Sequence, residues 1–225
     1  MEQTPYIYVL INKIDLNLFT HILLFIINYF INYNKMSYLE LFMGPMYSGK
    51  TSVLIQLYKK YTFCNLPVVV INHSDDTRYH NSMLSTHDKI MIPCIQTTKI
   101  KDILESEDYK KANVILINEA QFYADLYECV LEMLNDEKKI YVSGLDGDFE
   151  RKKFGQILDL IPLCDKVSKM SALCGICKNG THAIFSLRLT KNKEQMLIGS
   201  DNYIPVCRNC YNDAHASVDD GINNI

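Results

Sequence analysis

The chain has 225 residues, 48% of them hydrophobic, and a formal net charge of −3. That length can bury a core for one domain with an appendage or for two small ones, and the apolar content excludes a disordered chain. The slight acidity and the lack of a long Lys/Arg run argue against a protein that grips nucleic acid chiefly through its phosphates.

Residues 1–35 are built mainly of Ile, Asn, Tyr, Phe and Leu, with a nearly apolar stretch at 16–31, LNLFTHILLFIINYFI. A membrane span needs roughly 20 mostly apolar residues; this run is shorter and is interrupted by Asn17, His21 and Asn28. The start MEQTPYIYV lacks the basic beginning and small-residue cleavage site of a signal peptide. The expectation is an N-terminal extension, either disordered or a translated leader ahead of Met36, with no membrane contact.

From Tyr38 onward short apolar runs alternate with helical patterns. Residues 39–43, 68–72, 91–95, 114–117 and 140–143 read as strands, and 50–63, 100–110 and 123–135 as helices. Such alternation predicts an α/β fold around a mostly parallel sheet covered on both faces. After about Met170 the text turns to Cys, Gly, Asn and Lys, with a strand-like pair at 183–189 and 195–198. The expected division is a P-loop α/β domain over 36–170, a small zinc-binding lobe with a β-hairpin over 171–212, and a polar tail over 213–225.

Gly44, Pro45, Met46, Tyr47, Ser48, Gly49, Lys50 and Thr51 fit G-x-x-x-x-G-K-[ST], placed after a predicted strand and opening a predicted helix. Backbone N–H groups of such a loop converge on phosphate oxygens, the Lys adds a point charge, and the Thr hydroxyl suits Mg²⁺. A second apolar run, VILIN, then ends in Asn118 and Glu119. An Asp at the first position usually helps hold Mg²⁺, and a following Glu can take a proton from the attacking group. Asn118 keeps an oxygen acceptor but loses the charge, so an Asp there is expected to tighten the hold on magnesium.

Of the eight cysteines, four form two CxxC pairs, Cys174 with Cys177 and Cys207 with Cys210. Paired thiolates on knuckle turns suit tetrahedral Zn²⁺; two disulfides or four free thiols are the competing reading. Metal binding in turn suggests a reducing compartment. Cys64, Cys94, Cys129 and Cys164 sit in apolar contexts and read as core filler.

From Tyr38 to Tyr211 the ordered blocks GPMYSGKT, Asp76-Thr-Arg-Tyr79, Thr86-His-Asp88, NEAQF, LDGDFERKKFG and IGSDNY resemble the thymidine kinases of the cytosolic, zinc-containing type. The resemblance implies a RecA-like α/β domain with a zinc lobe, a cytoplasmic homotetramer, ATP and thymidine as substrates, Mg²⁺ with the ATP, structural Zn²⁺, and feedback by thymidine triphosphate, without nucleic-acid or membrane partners. It assigns Glu119 as general base. Asp76, Thr77, Arg78, Asn118, Gln121 and Arg188 fall in the phosphate and magnesium neighbourhood with the P-loop. Met46, Phe122, Leu145, Phe149 and Phe154 wall the nucleoside pocket, and Ser186 lies near the base. Gln195, Met196, Leu197, Ile198 and Gly199, with Tyr203, form a lasso that closes over it. This chain departs from the family pattern at Asn118, where an Asp is usual, at Lys153, where a Pro is usual, and in a lasso one residue shorter near Ser200 and Asp201.

Two other readings remain open. A zinc-ribbon P-loop ATPase acting on nucleic acid would use Glu119 to activate water, and a degenerate nucleotide-binding regulator would explain Asn118.

Overall fold

The computed structural model describes residues 20–24, 36–74, 83–86, 88–190, 192, 194–196 and 199–219. The chain divides into two units, Met1–Met36 and Ser37–Ile225. In the first, residues 20–24 form one exposed helical turn, and nearly all of the expected extension lies outside the described residues. Among the described residues no helix is long and apolar enough to cross a membrane.

The second unit alternates strand and helix as the apolar runs predict. Its elements begin with β1 (Tyr38–Met43), α1 (Lys50–Phe63), β2 (Val68–His73), β3 (Met83–Ser85), β4 (Met91–Pro93) and β5 (Ile95–Thr97). There follow α2 (Lys101–Leu104), α3 (Glu107–Lys111), β6 (Val114–Ile117), α4 (Leu126–Asn135), β7 (Lys139–Gly144) and β8 (Lys166–Lys169). Six strands make one sheet in the order β5-β2-β6-β7-β1-β8, and every pairing in it is parallel.

Because successive side chains leave a strand on opposite faces, each central strand feeds two cores. Ile115 and Ile117 pack with Leu39, Leu41, Ile140 and Val142 under α4 and the 3₁₀ segment Ile157–Leu163. Val114 and Leu116 pack on the other face with Phe42, Tyr141 and the α1 residues Leu54 and Ile55. Both faces are dry, which is why β6 carries four apolar residues in a row.

Several expected elements differ in detail. The strand expected at 91–95 is two: Met91–Pro93 pairs antiparallel with β3, and Ile95–Thr97 joins β2 in parallel. Pro93 has no N–H to offer a central ladder, so the chain leaves one sheet there and enters the other. The helix expected at 100–110 is broken, since Ser106 in extended conformation caps α3 by accepting from Tyr109 N at 3.1 Å. The edge strand β8, KVSK, is short and half lysine, a composition that discourages sheet-to-sheet pairing and hides the strand from an apolar-run search.

The last elements are β9 (Ala172–Leu173), β10 (His182–Ala183), β11 (Phe185–Arg188), β12 (Tyr203–Val206) and α5 (Arg208–Asp219). The expected strand partner at 195–198 is replaced by β12, which pairs antiparallel with β11. Gln195 and Met196 are loop instead. Helix α5 runs across the expected tail boundary at 212, anchored by Tyr211, which is fully buried.

Candidate active site

The P-loop joins β1 to α1. Gly44 is needed because a Cβ there would lie 2.4 Å from the Met170 carbonyl oxygen. Gly49 ends the loop in a left-handed turn, with no side chain capping the first N–H groups of α1. An uncapped helix N-terminus with a positive dipole end favours an anion. Lys50 Nζ folds back over the loop, donating to the Pro45 carbonyl at 2.7 Å and contacting Ser48 Oγ at 3.4 Å.

Beyond β6 the chain turns sharply. Glu119 has φ of 51°, a left-handed conformation that costs a non-glycine residue about 1 kcal/mol or more, and the 3₁₀ turn Ala120–Phe122 follows. Gln121 spans the turn: its Nε2 donates to Glu119 Oε2 at 2.7 Å, and its Oε1 accepts from Leu145 N at 2.9 Å. The carboxylate is therefore held by an amide that is itself pinned to the loop after β7. Asn118 is buried behind Thr51, whose hydroxyl donates to Asn118 Oδ1 at 3.4 Å. A hydroxyl backed by an amide oxygen beside a phosphate-binding loop fits Mg²⁺, which takes oxygen ligands and completes its shell with water and phosphate.

One pocket collects most of the expected residues. Met46, Tyr47, Ser48, Gly49, Lys50 and Thr51 line one end, with Glu119, Gln121 and Leu145 beside them. Phe122, Phe149 and Phe154 form aromatic walls, while Ser186, Gln195, Met196, Gly199 and Tyr203 close the other side. Phe122 and Phe154 meet edge to face at 5.7 Å. Ser186 Oγ accepts from Met46 N at 3.0 Å and so ties β11 to the P-loop. Asp76, Thr77, Arg78, Leu197 and Ile198 lie outside the described residues.

Arg188, expected near the phosphates, is buried beneath the lasso. Its guanidinium donates to the carbonyls of Asn192 at 3.0 Å and Gln195 at 3.1 Å, to that of Glu194, and to the Tyr203 hydroxyl. It also stacks 3.8 Å from the Phe149 ring centroid, a cation–π contact strengthened by exclusion of water. Arg188 thus binds the lasso to the wall of the pocket.

Ser52, Ser85, Thr86, Gly147 and Asp148 also line the pocket; Thr86, Gly147 and Asp148 fall in the ordered blocks of the sequence, but none of the five is given a role there. Asp148 is the informative one. Its Oδ1 accepts from Glu150 N and Lys152 N, both at 2.9 Å, and its Oδ2 accepts from Gln195 Nε2 at 2.8 Å. The pattern D-G-D-F carries the signal of an Asx-type turn, but the bond to Gln195 crosses 47 positions and has no local trace.

Beside this pocket the sulfurs of Cys174, Cys177, Cys207 and Cys210 lie within 4.8 Å of one another. They gather on a lobe whose core is seven buried residues, too few to hold a fold without a cross-link. Burial pushes the Cys174 thiol up, but N–H groups of Cys207, Cys177 and Ile176 aimed at its sulfur bring it down to about 6. Cys210 goes the other way, to about 12, through hydrogen bonding with Cys207 and through burial. Four sulfurs so close ionise together only around a cation, and N–H groups directed at sulfur are what a tetrathiolate site requires; the cluster fits structural zinc. Of the remaining cysteines Cys129 is buried and Cys94 and Cys164 partly so, whereas Cys64 is exposed and fills no core.

The family model for thymidine kinase matches residues 37–211. The chain belongs to the thymidine kinase family. It is 41% identical to thymidine kinase a of Arabidopsis thaliana over 174 residues, 75% of this chain and 72% of that protein. Against the thymidine kinase of Variola virus identity is 41% over 179 residues, covering 79% of this chain and 98% of the viral one. Thymidine kinase 1 of Dictyostelium discoideum is 36% identical over 179 residues, 77% of each chain. The match spans the P-loop, the turn at Glu119 and the four-cysteine lobe, so the kinase elements and the metal lobe belong to one inherited unit.

Two outcomes follow from the site's construction. Metal analysis of the purified chain should find about one zinc per chain, and Cys174→Ser should lose it with a lower melting temperature. Gly155 has φ of 60°, and a Cβ there would sit 2.2 Å from the Gln121 carbonyl oxygen. Gly155→Ala should therefore displace Gln121 and with it Glu119, lowering turnover by about 10²-fold in steady-state assays.

Proposed function

We propose that this chain transfers the γ-phosphate of ATP to the 5′-hydroxyl of thymidine, giving thymidine monophosphate. The observation that carries the proposal is one pocket in which the Glu119 carboxylate shares the lining with a phosphate-binding loop and aromatic walls suited to a planar base, while the other lining carboxylate, Asp148, is taken up by Glu150 N, Lys152 N and Gln195 Nε2.

The geometry suggests how the residues divide the work. Phe122, Phe149 and Phe154 hold the base, and the lasso residues Gln195, Met196 and Gly199 cover it, which excludes water as the nucleoside enters. Glu119 accepts the proton of the 5′-hydroxyl as its oxygen bonds to the γ-phosphorus. The bond from that phosphorus to the β,γ-bridging oxygen breaks, leaving ADP. Lys50 and the N–H groups at the start of α1 receive the charge on the phosphate oxygens. Magnesium, held by the Thr51 hydroxyl with Asn118 behind it, would supply neutralisation of the β- and γ-phosphates. Gln121 keeps the Glu119 carboxylate aimed, so orientation is set before substrate arrives.

The same reading carries a homotetrameric, cytoplasmic enzyme open to feedback by thymidine triphosphate, supported by the family resemblance. The ATPase alternative gives no account of the aromatic walls or the lasso, which a water nucleophile does not need.

The purified protein incubated with ATP, Mg²⁺ and thymidine should form thymidine monophosphate; ATP hydrolysis indifferent to thymidine, without monophosphate, would reject the proposal. Glu119→Gln keeps the shape and the bond to Gln121 within reach but removes the proton acceptor. It should lower turnover by about 10²- to 10⁴-fold while ATP affinity, measured by calorimetry, stays near native. Activity surviving that change would mean another group takes the proton.

A further inference from the structure

A neutral Asn118 in a magnesium position looks like a loss that an Asp would repair. The groups packed around it indicate otherwise. Asn118 Nδ2 donates to Asn72 Oδ1 at 2.9 Å, while Asn118 Oδ1 accepts from Ser143 Oγ at 2.9 Å and from Thr51 Oγ1 at 3.4 Å. Asn72 and Asn118 are 1% and 2% exposed and Ser143 is fully buried, so these bonds have no competing water.

The direction of this chain of amides is set at its far end. Asn72 lies opposite Gln96 in the β2–β5 register. Asn72 Nδ2 donates to the Gln96 side-chain oxygen, and the Gln96 amide satisfies both of its ends only when its nitrogen faces the carbonyls of His73 and Asn72, at 2.9 and 3.2 Å, and its oxygen faces Asn72 Nδ2 at 3.2 Å. Turned over, Gln96 would set its oxygen against those carbonyls. Backbone carbonyls in a sheet cannot reverse. They orient Gln96, Gln96 orients Asn72, and Asn72 leaves Asn118 one way to face: nitrogen toward Asn72, oxygen toward Thr51. The Thr51 hydrogen is thereby drawn to Asn118, and the Thr51 lone pairs are left for a cation at the P-loop.

We propose that Asn72 and Gln96 are positioning residues for the metal site, and that this site is built around the Asn118 amide and rejects a carboxylate there. The inference rests on the reading of the P-loop as an ATP and Mg²⁺ site. An Asp at 118 would set a carboxylate oxygen against Asn72 Oδ1, acceptor facing acceptor in a buried place. Asn72 could answer only by turning over, which would aim its own oxygen at that of Gln96. The conflict moves along the amides and ends at the fixed carbonyls.

The test is a double-mutant cycle in the full chain, using Mn²⁺ as the probe, read by electron paramagnetic resonance with ATP present and thymidine absent. Melting temperatures are taken in parallel without metal or nucleotide. Asn118→Asp should bind Mn²⁺ no tighter than the native chain and melt lower. Gln96→Met, which touches no nucleotide, should weaken Mn²⁺ binding severalfold in the native background by loosening the Asn118 amide. In the Asn118→Asp background it should strengthen binding by about tenfold and restore melting, because the Gln96 oxygen no longer opposes an Asn72 amide turned to donate to the carboxylate.

That reversal of sign is not expected of residues that merely support the fold. Additive effects in the two backgrounds, or tighter Mn²⁺ binding by Asn118→Asp alone with unchanged melting, would overturn the proposal. If Asn118→Asp does not fold, recovery of folded protein by adding Gln96→Met upholds it and failure to recover overturns it. A native chain that binds no Mn²⁺ with ATP would overturn the nucleotide-site reading itself, a distinct outcome from additivity.

Discussion

The site depends on how β6 ends. Four buried apolar residues deliver the chain to the carboxyl edge of a parallel sheet, and there it must change direction beside the loop that follows β1. Glu119 makes that turn in a left-handed conformation, held by Gln121 to the loop after β7. Ligand sites of parallel sheets lie outside the carboxyl ends of their strands, and here β1, β6 and β7 end side by side. A P-loop, a carboxylate and an aromatic wall come together because three neighbouring strands end at the same edge of the sheet, β6 two residues short of β7 and β1.

Around that edge the remaining contacts limit motion. Ser186 pins the P-loop to β11, and two residues along the same strand Arg188 gathers the lasso carbonyls and the face of Phe149. Tyr211 reaches from α5 to the Phe149 carbonyl at 2.6 Å. The four-cysteine lobe is thereby mechanically continuous with the pocket: its strands carry Ser186 and Tyr203, which line one side of it. A metal held by the four cysteines would therefore stiffen one side of the pocket from outside its lining.

Much of the fold was legible in the sequence where one strong local signal acted alone. Continuous apolar runs marked β1, β2, β6 and β7, since strands covered on both faces can carry little else. The signal failed where two effects compete within a few residues. Pro93 divided one apolar run between two sheets, Ser106 broke one helical pattern by capping a second helix, and the lysines of β8 masked an edge strand. The strand partner of β11 was misplaced by a similar weakness. The partner was expected at 195–198, but Gln195 and Met196 are loop, with Gln195 bonded to Asp148, and 203–206 pairs instead.

By itself the sequence determined the chemistry available: a phosphate loop, one carboxylate after a buried strand, two thiol pairs, and enough ordered blocks to reveal a thymidine kinase. These are local patterns, set by backbone conformation and by spacing along the chain. The tertiary structure alone decided how those groups face one another. It took Arg188 to the lasso, joined Asp148 to Gln195, and gave the Asn118 amide a direction fixed from Gln96 through Asn72. Each of these is a hydrogen bond or stacking contact between distant segments, whose formation depends on which groups the fold leaves without water.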